Sequence, residues 1–389
     1  MDTTLSPRHR RGRRAGRRTG VLAALAAIAL GAVASGCAQV ASPVGWAPPV
    51  PAQQQVIVSL EAGRLSALEA GSWRQLWRFP ESDSRCPDAE TGEEVGDLRL
   101  QAIYGAPVVT ASTVYLGAYD SRVYALDRQT GDCLWTFDTG GPIIGGLALD
   151  ETAGILLVPS DDGRVYGLDP ATGRPRPGWP FQTGKGVWAR PLIDQGVAYI
   201  VSLDRHLYAV DLATGRELWR YEARGGLISD PVLADGLLLV GGFDRRLYAI
   251  DVRTRAPAWA EPFRADNWFW ASPVVAGGTV YAANLDGRLY ALRLTDGQLL
   301  WTQDVQQPVR ARPLLASGPG VLIAINRDGQ AYGLDPASGS PRWGPVEIGA
   351  TVLASPVPID GAALVNTQPG GLYRLDPASG ALSRVVQPS

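Results

Sequence analysis

The stretch DRHLYAVDLATGRELW, residues 204–219, has the features of one β-hairpin and recurs along the chain. Its centre is rich in residues that favour strands, and its D-x-x-T-G turn ends on a glycine that tolerates a positive φ. A degenerate first copy at residues 63–77 and seven clear copies make eight. The seven clear copies place a tyrosine every 40 to 42 residues, at Tyr124, Tyr166, Tyr208, Tyr248, Tyr290, Tyr332 and Tyr373.

Both faces of the repeated hairpin are apolar. Because side chains alternate along a strand, Leu207 and Ala209 face one way while Tyr208 and Val210 face the other. A sheet with one face in water alternates with polar residues, whereas a sheet covered on both faces is apolar throughout. Eight such units closed in a ring leave no face uncovered. We therefore predict an all-β fold, an eight-bladed β-propeller of four-stranded antiparallel blades, over residues 53–389.

A tryptophan follows the turn of each copy at a nearly fixed offset. In copy eight Arg384 takes this position. Because the tryptophan recurs around the ring, we expect each indole to wedge between adjacent blades rather than to bind a ligand. The tryptophans are Trp77, Trp135, Trp179, Trp219, Trp259, Trp301 and Trp343.

The N-terminal segment has the features of an export signal. A basic stretch at residues 8–18 precedes an apolar run at 21–33, which is shorter than the roughly 20 residues that a spanning helix needs. The small residues before Cys37 resemble the lipobox of bacterial lipoproteins. This implies a lipoprotein signal peptide over residues 1–36 and a lipidated N-terminus and linker over 37–52. An ordinary signal with a coincidental cysteine and a twin-arginine signal are the alternatives.

Charge and cysteine content limit the function further. Removing residues 1–36 removes seven Arg and one Asp, so the net charge falls from −2 to about −8. This balance argues against nucleic acid as a partner, since its binding needs clustered positive charge. Export also places the chain where disulfides persist. Cys86 and Cys133 are the cysteines that remain after Cys37, so we predict that they pair; two free thiols are the alternative.

The repeated pattern A-x-D-x-x-T-G-x-x-x-W resembles the tryptophan-docking motif of pyrroloquinoline-quinone-type β-propellers over essentially the whole mature chain. The resemblance implies one of two classes. One is the quinoprotein dehydrogenases that oxidise sugars or alcohols, and the other is the cofactor-free lipoproteins of outer-membrane β-barrel assembly. In layout the chain is most similar to the lipoprotein B subunit of that assembly machinery.

Catalytic residues expected of the dehydrogenases are missing from the sequence. Those enzymes carry an adjacent Cys-Cys disulfide against the quinone, and this chain has no adjacent cysteine pair. The only histidine after the signal, His206, aligns with arginines of other copies on a hairpin. We therefore predict no catalytic residues, no cofactor and no metal site.

Two acidic features have structural explanations. One is a set of aspartates in the turn between second and third strands, where turn chemistry is favoured over metal binding. These are Asp120, Asp162, Asp204, Asp244, Asp286 and Asp328. The other is an insertion at residues 80–101 with seven acids and two arginines, interpreted as a mobile flap pinned by Cys86, or alternatively as a docking loop.

The segments just before each first strand vary most between copies and line one mouth of the channel in a propeller. Aromatic and arginine side chains there have the composition of interface anchors. We predict a rim that binds a partner segment or small ligand, although these side chains could instead simply close the channel. The rim residues are Trp188, Arg190, Asp230, Trp268, Phe269, Trp270, Arg310 and Arg312.

Together these features predict a monomeric, lipid-anchored, extracytoplasmic propeller that serves as a non-catalytic scaffold. Its expected partners are envelope proteins or extended peptide segments, and its lipid attaches it to a membrane. In a host with an outer membrane, the expected location is the periplasmic face of that membrane. In a single-membrane bacterium the chain would instead be a ligand-binding lipoprotein of the cell surface.

Overall fold

The computed structural model describes residues 45–386, so the predicted signal peptide and the lipidation site at Cys37 lie outside the described residues. Within this range the chain forms eight antiparallel sheets in a ring and one separate two-stranded hairpin. The prediction of an all-β, eight-bladed propeller is confirmed. In the part of the chain that is described, no helix is long and apolar enough to cross a membrane.

The first four blades take their strands in chain order across each sheet. Blade 1 comprises Val50–Ala52, Gln55–Val58, Leu65–Glu69 and Gln75–Phe79. Blade 2 comprises Val108–Val109, Thr113–Gly117, Arg122–Asp127 and Cys133–Asp138. Blade 3 comprises Ala148–Asp150, Ile155–Pro159, Arg164–Leu168 and Phe181–Gln182. Blade 4 comprises Leu192–Asp194, Val197–Val201, His206–Asp211 and Glu217–Glu222.

The last four blades follow the same order, except that the outermost strand of blade 5 is broken in two. Blade 5 comprises Val232–Ala234, Leu237–Gly241, Arg246–Asp251, Ala256–Pro257 and Phe263–Arg264. Blade 6 comprises Val274–Ala276, Thr279–Ala283, Arg288–Arg293 and Leu299–Asp304. Blade 7 comprises Leu314–Ala316, Val321–Ile325, Gln330–Leu334 and Pro341–Glu347. Blade 8 comprises Val357–Ile359, Ala362–Asn366, Leu372–Leu375 and Leu382–Val386.

The propeller begins before the predicted boundary at residue 53. Val50–Ala52 pairs with the next strand as the first strand of blade 1, with Val50 opposite Ile57. The sequence signal for this strand is weak because it contains Pro51 and follows two further prolines. Proline is tolerated there because the strand lies at the edge of its sheet, where one side needs no N–H donor.

Apolar contact between neighbouring blades holds the ring together. Leu207 and Ala209 lie in the apolar cluster between blades 4 and 5, whereas Tyr208 and Val210 lie in the cluster between blades 3 and 4. Each of the eight interblade spaces holds one such cluster. A single blade therefore has no core of its own, as the two-sided apolar pattern predicts.

In six of the eight blades a tryptophan docks on the following blade. Trp259 is 2% exposed, and its ring N–H donates a hydrogen bond of 2.8 Å to the backbone oxygen of Leu294 in blade 6. The turn glycine of that blade packs beneath the ring, where a Cβ on Gly297 would come within 2.5 Å of the indole. Equivalent hydrogen bonds of 2.8 to 3.2 Å are made by Trp77, Trp135, Trp179, Trp301 and Trp343.

Trp219 departs from this arrangement. The turn of blade 5, which it faces, carries Arg255 at a φ of 62° in place of glycine. Within residues 45–386 the ring N–H of Trp219 makes no hydrogen bond, although the ring is half-buried like those of Trp301 and Trp343 and packs against Tyr199, with ring centroids 6.1 Å apart. We infer that the Cβ of Arg255 prevents the close contact between turn and indole that glycine allows in other blades.

The ring closes without a shared strand, because blades 1 and 8 are separate sheets. Val56 and Val58 of blade 1 pack against Leu364 and Leu372 of blade 8. The segment before blade 1 adds polar contacts, since the side-chain amide of Asn366 donates to the backbone oxygens of Ala47 at 3.3 Å and Ser59 at 3.0 Å. Ala47 in turn donates its N–H to Ile103 at 3.1 Å, so this segment links blade 8 to the start of blade 2.

The insertion at residues 80–101 packs on blade 2. Its hairpin pairs Cys86–Pro87 with Glu94–Val95, and Asp88 bridges to Thr136 on the outermost strand of the blade. Cys86 is fully buried and is bonded to Cys133, with Cα atoms 5.1 Å apart. Closing a loop of this length contributes about 4 kcal/mol in the chain-entropy account. The expected mobile flap is therefore, in the structure, a cover over the edge of blade 2.

Replacing a docking tryptophan should destabilise the ring strongly. We expect Trp259→Ala to lower the free energy of unfolding by about 3–5 kcal/mol, because it removes a buried indole and its hydrogen bond. Leu300→Ala is the matched control on the outermost strand of blade 6, where Leu300 is 46% exposed. That change should stay within about 0.5 kcal/mol. Chemical denaturation of both variants tests this, and equal losses would contradict the docking role.

Candidate functional site

In each blade an equivalent segment, here called the lead-in segment, comes just before the first strand. It has a small residue between two variable residues and is usually followed by proline. In blade 4 this segment is Trp188, Ala189, Arg190 and Pro191. The small central residue is buried where neighbouring backbones meet: Ala189 is 1% exposed, and a Cβ on Gly145 of blade 3 would lie 2.9 Å from its carbonyl carbon. The two flanking side chains line the central cavity instead.

The flanking positions form two rings of eight around this cavity of about 170 Å³. The first position of each segment gives the mouth ring, which lies beside the turns between second and third strands. Its members are Trp46, Tyr104, Ile144, Trp188, Ile228, Trp270, Arg310 and Leu353. The position two residues later gives the neck ring. Its members are Pro48, Ala106, Gly146, Arg190, Asp230, Ser272, Arg312 and Ser355.

Arg310 is held between two indole rings in the mouth ring. Its guanidinium carbon lies 3.8 Å from the ring centroid of Trp46 and 3.9 Å from that of Trp270. Burial lowers the pKa of Arg310 to about 10, and the nearby Tyr104 hydroxyl opposes this shift. Its Nε is buried without a hydrogen-bond partner. Stacking on both faces thus replaces the carboxylate that a buried arginine usually requires.

Further aromatic side chains extend the mouth ring over the end of the propeller. Trp188 lies 6.4 Å from Trp270, and Phe243 contacts both at 6.3 and 6.1 Å between ring centroids. Phe243 also packs edge-on against Trp268 at 4.7 Å. The ring N–H of Trp188 donates a hydrogen bond of 2.6 Å to Asp161. We call Trp188, Phe243, Trp268 and Trp270 the aromatic arc.

Most predicted rim residues meet at this cavity. It is lined by Trp188, Arg190, Asp230, Trp270, Arg310 and Arg312. Trp268 lies beside it in the aromatic arc, whereas Phe269 was wrongly assigned to the rim, because its side chain is fully buried between blades 5 and 6. The same position holds a buried Ile, Leu or Val in six of the seven other blades, such as Val187 and Val309, and aligning the copies at this position would have shown that Phe269 faces the core.

Sequence reasoning missed Trp46 and Phe243. Trp46 was assigned to a linker, although W-A-P-P at residues 46–49 has the same spacing as W-A-R-P at 188–191. Phe243 comes from the turn after the second strand of blade 5, outside the segments before the first strands that predicted the rim. Only the folded ring shows that this turn reaches the lead-in segments.

The neck ring carries its charges on one side. Asp230 accepts a 2.8 Å hydrogen bond from the backbone N–H of Arg190, and Ser355 accepts one of 3.0 Å from the backbone N–H of Arg312. Burial raises the pKa of Asp230, although this hydrogen bond and both arginines oppose the shift. Burial also lowers the pKa of Arg312, an effect that Asp230 opposes and Arg190 reinforces. In the described chain, neither guanidinium lies within 4 Å of a carboxylate.

The aspartates between second and third strands have a structural role. Asp120 accepts the N–H of Arg122 at 3.2 Å and the hydroxyl of Tyr124 at 2.6 Å, which closes the turn and satisfies a buried tyrosine. The same pair of bonds recurs at Asp162, Asp204, Asp244 and Asp286. Blade 7 differs, because Asn326 takes over the turn and leaves Asp328 exposed. Residues 45–386 hold no cluster of three or more His, Cys, Asp or Glu suited to a metal.

Comparison with known proteins identifies the family. The chain matches the family model described as "Outer membrane protein assembly factor BamB" over residues 18–180, 161–267 and 246–386. The chain belongs to this family. These ranges include every docking tryptophan and both rings, so the family extends over the site as well as the blades.

Individual members of this family and quinone-dependent enzymes both resemble parts of the chain. A BamB of Xanthomonas campestris pv. campestris is 33% identical over 129 residues, covering 33% of this chain and 29% of that protein. The 1-butanol dehydrogenase (quinone) of Thauera butanivorans is 30% identical over 147 residues, covering 34% of this chain and 20% of the enzyme. The matches thus span less than a third of either relative.

A solved structure supports the fold. The crystal structure of BamB from Moraxella catarrhalis superposes with a TM-score of 0.67 at 17% identity, covering 83% of this chain and 92% of that one. At this identity the likeness shows the eight-bladed architecture.

The aspartate–tyrosine pairs should contribute measurably to stability. We expect Tyr124→Phe to cost about 1.5–3 kcal/mol, because it leaves the buried carboxylate of Asp120 without its hydroxyl donor. Tyr332→Phe is the matched control, since its hydroxyl is 3.4 Å from Gln330 and contacts no aspartate. Urea unfolding of the two variants gives the comparison, and equal stability would show that the pair is not a significant contributor.

Proposed function

We propose that this chain is a lipid-anchored, non-catalytic scaffold of the cell envelope that binds a segment of another envelope protein at its channel mouth. The observation that carries the proposal is the aromatic arc. It gathers apolar side chains from three blades on one end of the ring, through Trp188, Phe243 and Trp270. Membership of the assembly-factor family supports a protein as the partner.

The chemistry of the arc suits a protein segment. Its side chains are half-buried, so their rings fix one another while leaving edges open to a partner. Rigid aromatic side chains lose little conformational entropy on binding and are enriched among residues that dominate interface energies. The ring N–H of Trp188 is already bonded to Asp161, which fixes the orientation of that indole.

The location follows from the N-terminal sequence. Cys37 would carry the lipid, and Ala38 and Gln39 after it do not resemble the aspartate-bearing signal that retains lipoproteins in the inner membrane. In a host with two membranes the scaffold would stand on the periplasmic face of the outer membrane. In a single-membrane host the same propeller would be a ligand-binding protein of the cell surface.

The alternative is a quinoprotein that oxidises alcohols or sugars, because butanol and ethanol dehydrogenases also match parts of the chain. The sequence lacks the adjacent cysteine pair expected against the quinone. The cavity wall also offers a single carboxylate, Asp230, whereas the calcium site of those enzymes uses several oxygen ligands. Both observations favour the scaffold.

A photo-crosslinking experiment tests the scaffold. We expect a photoreactive phenylalanine analogue at position 268 to crosslink one defined envelope protein in cells, and Phe243→Ala to reduce that product at least fivefold. The analogue at position 300, on the exposed edge of blade 6, is the matched control and should not give that product. Equal yields from both positions would contradict binding at the arc.

A reconstitution experiment tests the enzyme alternative. We expect the purified protein, incubated with pyrroloquinoline quinone and Ca²⁺, to reduce no redox dye with alcohols or sugars, because the paired cysteines are missing. An authentic quinoprotein dehydrogenase serves as the positive control. Sustained turnover by this chain, with the quinone retained through gel filtration, would establish the enzyme instead.

A further inference from the structure

The neck ring is divided into a polar side and a small side. Blades 4 to 8 contribute Arg190, Asp230, Ser272, Arg312 and Ser355, whereas blades 1 to 3 contribute only proline, alanine and glycine. The small residues leave open space across the channel from the polar ones. A ring with donors on one side and free volume on the other is the arrangement of a ligand site rather than of a packed core.

A second cavity continues from the neck ring. It shares Arg190, Asp230, Ser272 and Arg312 with the first cavity and extends along the first strands of blades 3, 4 and 5. Beyond the charged residues its side chains are apolar but half-buried, because they also pack in the interblade clusters. The residues there include Leu149, Leu192, Ile193, Val232 and Leu233. The second cavity has a volume of about 340 Å³, at the lower end of the roughly 300–1,000 Å³ usual for small-molecule sites, whereas the first is smaller, at about 170 Å³.

We propose that the neck ring and this second cavity bind a small amphiphilic carboxylate. The guanidinium groups of Arg190 and Arg312 hold its carboxylate, and the apolar wall beyond them holds its hydrocarbon body. The hydroxyl of Ser272 lies in the wall of both cavities, where it can donate to the same head group.

Charge selects the head group. The neck ring has two arginines and one aspartate, so it has a net charge of +1 inside a chain that is otherwise acidic. Asp230 is partly satisfied by the backbone N–H of Arg190, whereas each guanidinium lacks a carboxylate within 4 Å in the part of the chain described. A planar carboxylate matches the paired donors of a guanidinium. An anion is therefore favoured over a cation or a neutral alcohol.

The apolar wall selects the body of the ligand. A simple inorganic anion would satisfy the arginines but leave the leucine and isoleucine side chains of the second cavity facing water. Burying a hydrocarbon chain against the exposed part of these side chains is favourable, because it removes apolar surface from water. The site therefore fits an aliphatic carboxylate better than phosphate or acetate.

This inference goes beyond the scaffold role and does not depend on it. The scaffold uses the aromatic arc on the end of the propeller, whereas the ligand would lie below the mouth ring. A failed ligand titration would leave the crosslink from position 268 unaffected, and a failed crosslink would leave the titration unaffected.

Isothermal titration of the full lipidated chain in detergent tests the proposal, with titration into detergent alone subtracted. We expect saturable, one-to-one binding of octanoate. Binding of 1-octanol, acetate and octyltrimethylammonium should each be at least tenfold weaker, because each lacks either the negative charge or the hydrocarbon body. Equal affinity for octanol or acetate overturns the proposal, and so does tighter binding of pyrroloquinoline quinone than of octanoate.

Variants locate the site. Arg190→Gln combined with Arg312→Gln should weaken octanoate binding at least tenfold, whereas Arg99→Gln combined with Arg327→Gln on the surface should leave it unchanged. If this glutamine variant fails to fold, Arg190→Lys combined with Arg312→Lys replaces it. The lysine variant retains the charge but loses the paired donors of each guanidinium, so it should bind octanoate more weakly than the parent. Unchanged affinity in a folded neck variant overturns the proposal.

Discussion

The whole ring depends on one constraint: each blade is apolar on both faces and must be covered by two neighbours. Tyr208 and Leu207 are adjacent in one strand yet lie in different interblade clusters. The docking tryptophans reinforce the same contact at the outer part of six of the eight seams. Their N–H groups cross to the next blade, and the turn glycines beneath them make room for the ring. The exception at Trp219 and Arg255 shows how closely these two positions depend on each other.

This constraint also explains what the functional site is made of. Neighbouring backbones approach most closely beside the channel, so the central residue of each lead-in segment must be small. The residues on either side of it face the cavity and do not take part in the packing between blades. Aromatic, charged and small side chains therefore vary freely there from copy to copy. The mouth ring becomes an aromatic surface around Arg310, while the neck ring becomes a charged wall with one open side.

Repetition made most of the fold predictable, and departures from repetition explain what the sequence did not reveal. The period, the two apolar faces and the docking tryptophans follow from eight aligned copies. The strand Val50–Ala52 was missed because its proline obscures the strand pattern, and Trp46 was missed with it. Phe269 was wrongly predicted to lie in the rim, because it stands between Trp268 and Trp270 and the sequence of three aromatic residues does not show which ring faces the core. Phe243 and the second cavity depend on contacts between copies, which no alignment of single copies contains.

The closure of the ring has a consequence for chain connectivity. Some closed structures join their two ends by adding a terminal strand to the first sheet, but here every blade is built from consecutive strands. The last seam is a face-to-face apolar contact like the others, with Arg384 at the position of the docking tryptophan. The order of blades around the circle is therefore independent of where the polypeptide is cut. A circularly permuted chain, opened between two other blades and joined across the seam of blades 8 and 1, retains every sheet intact.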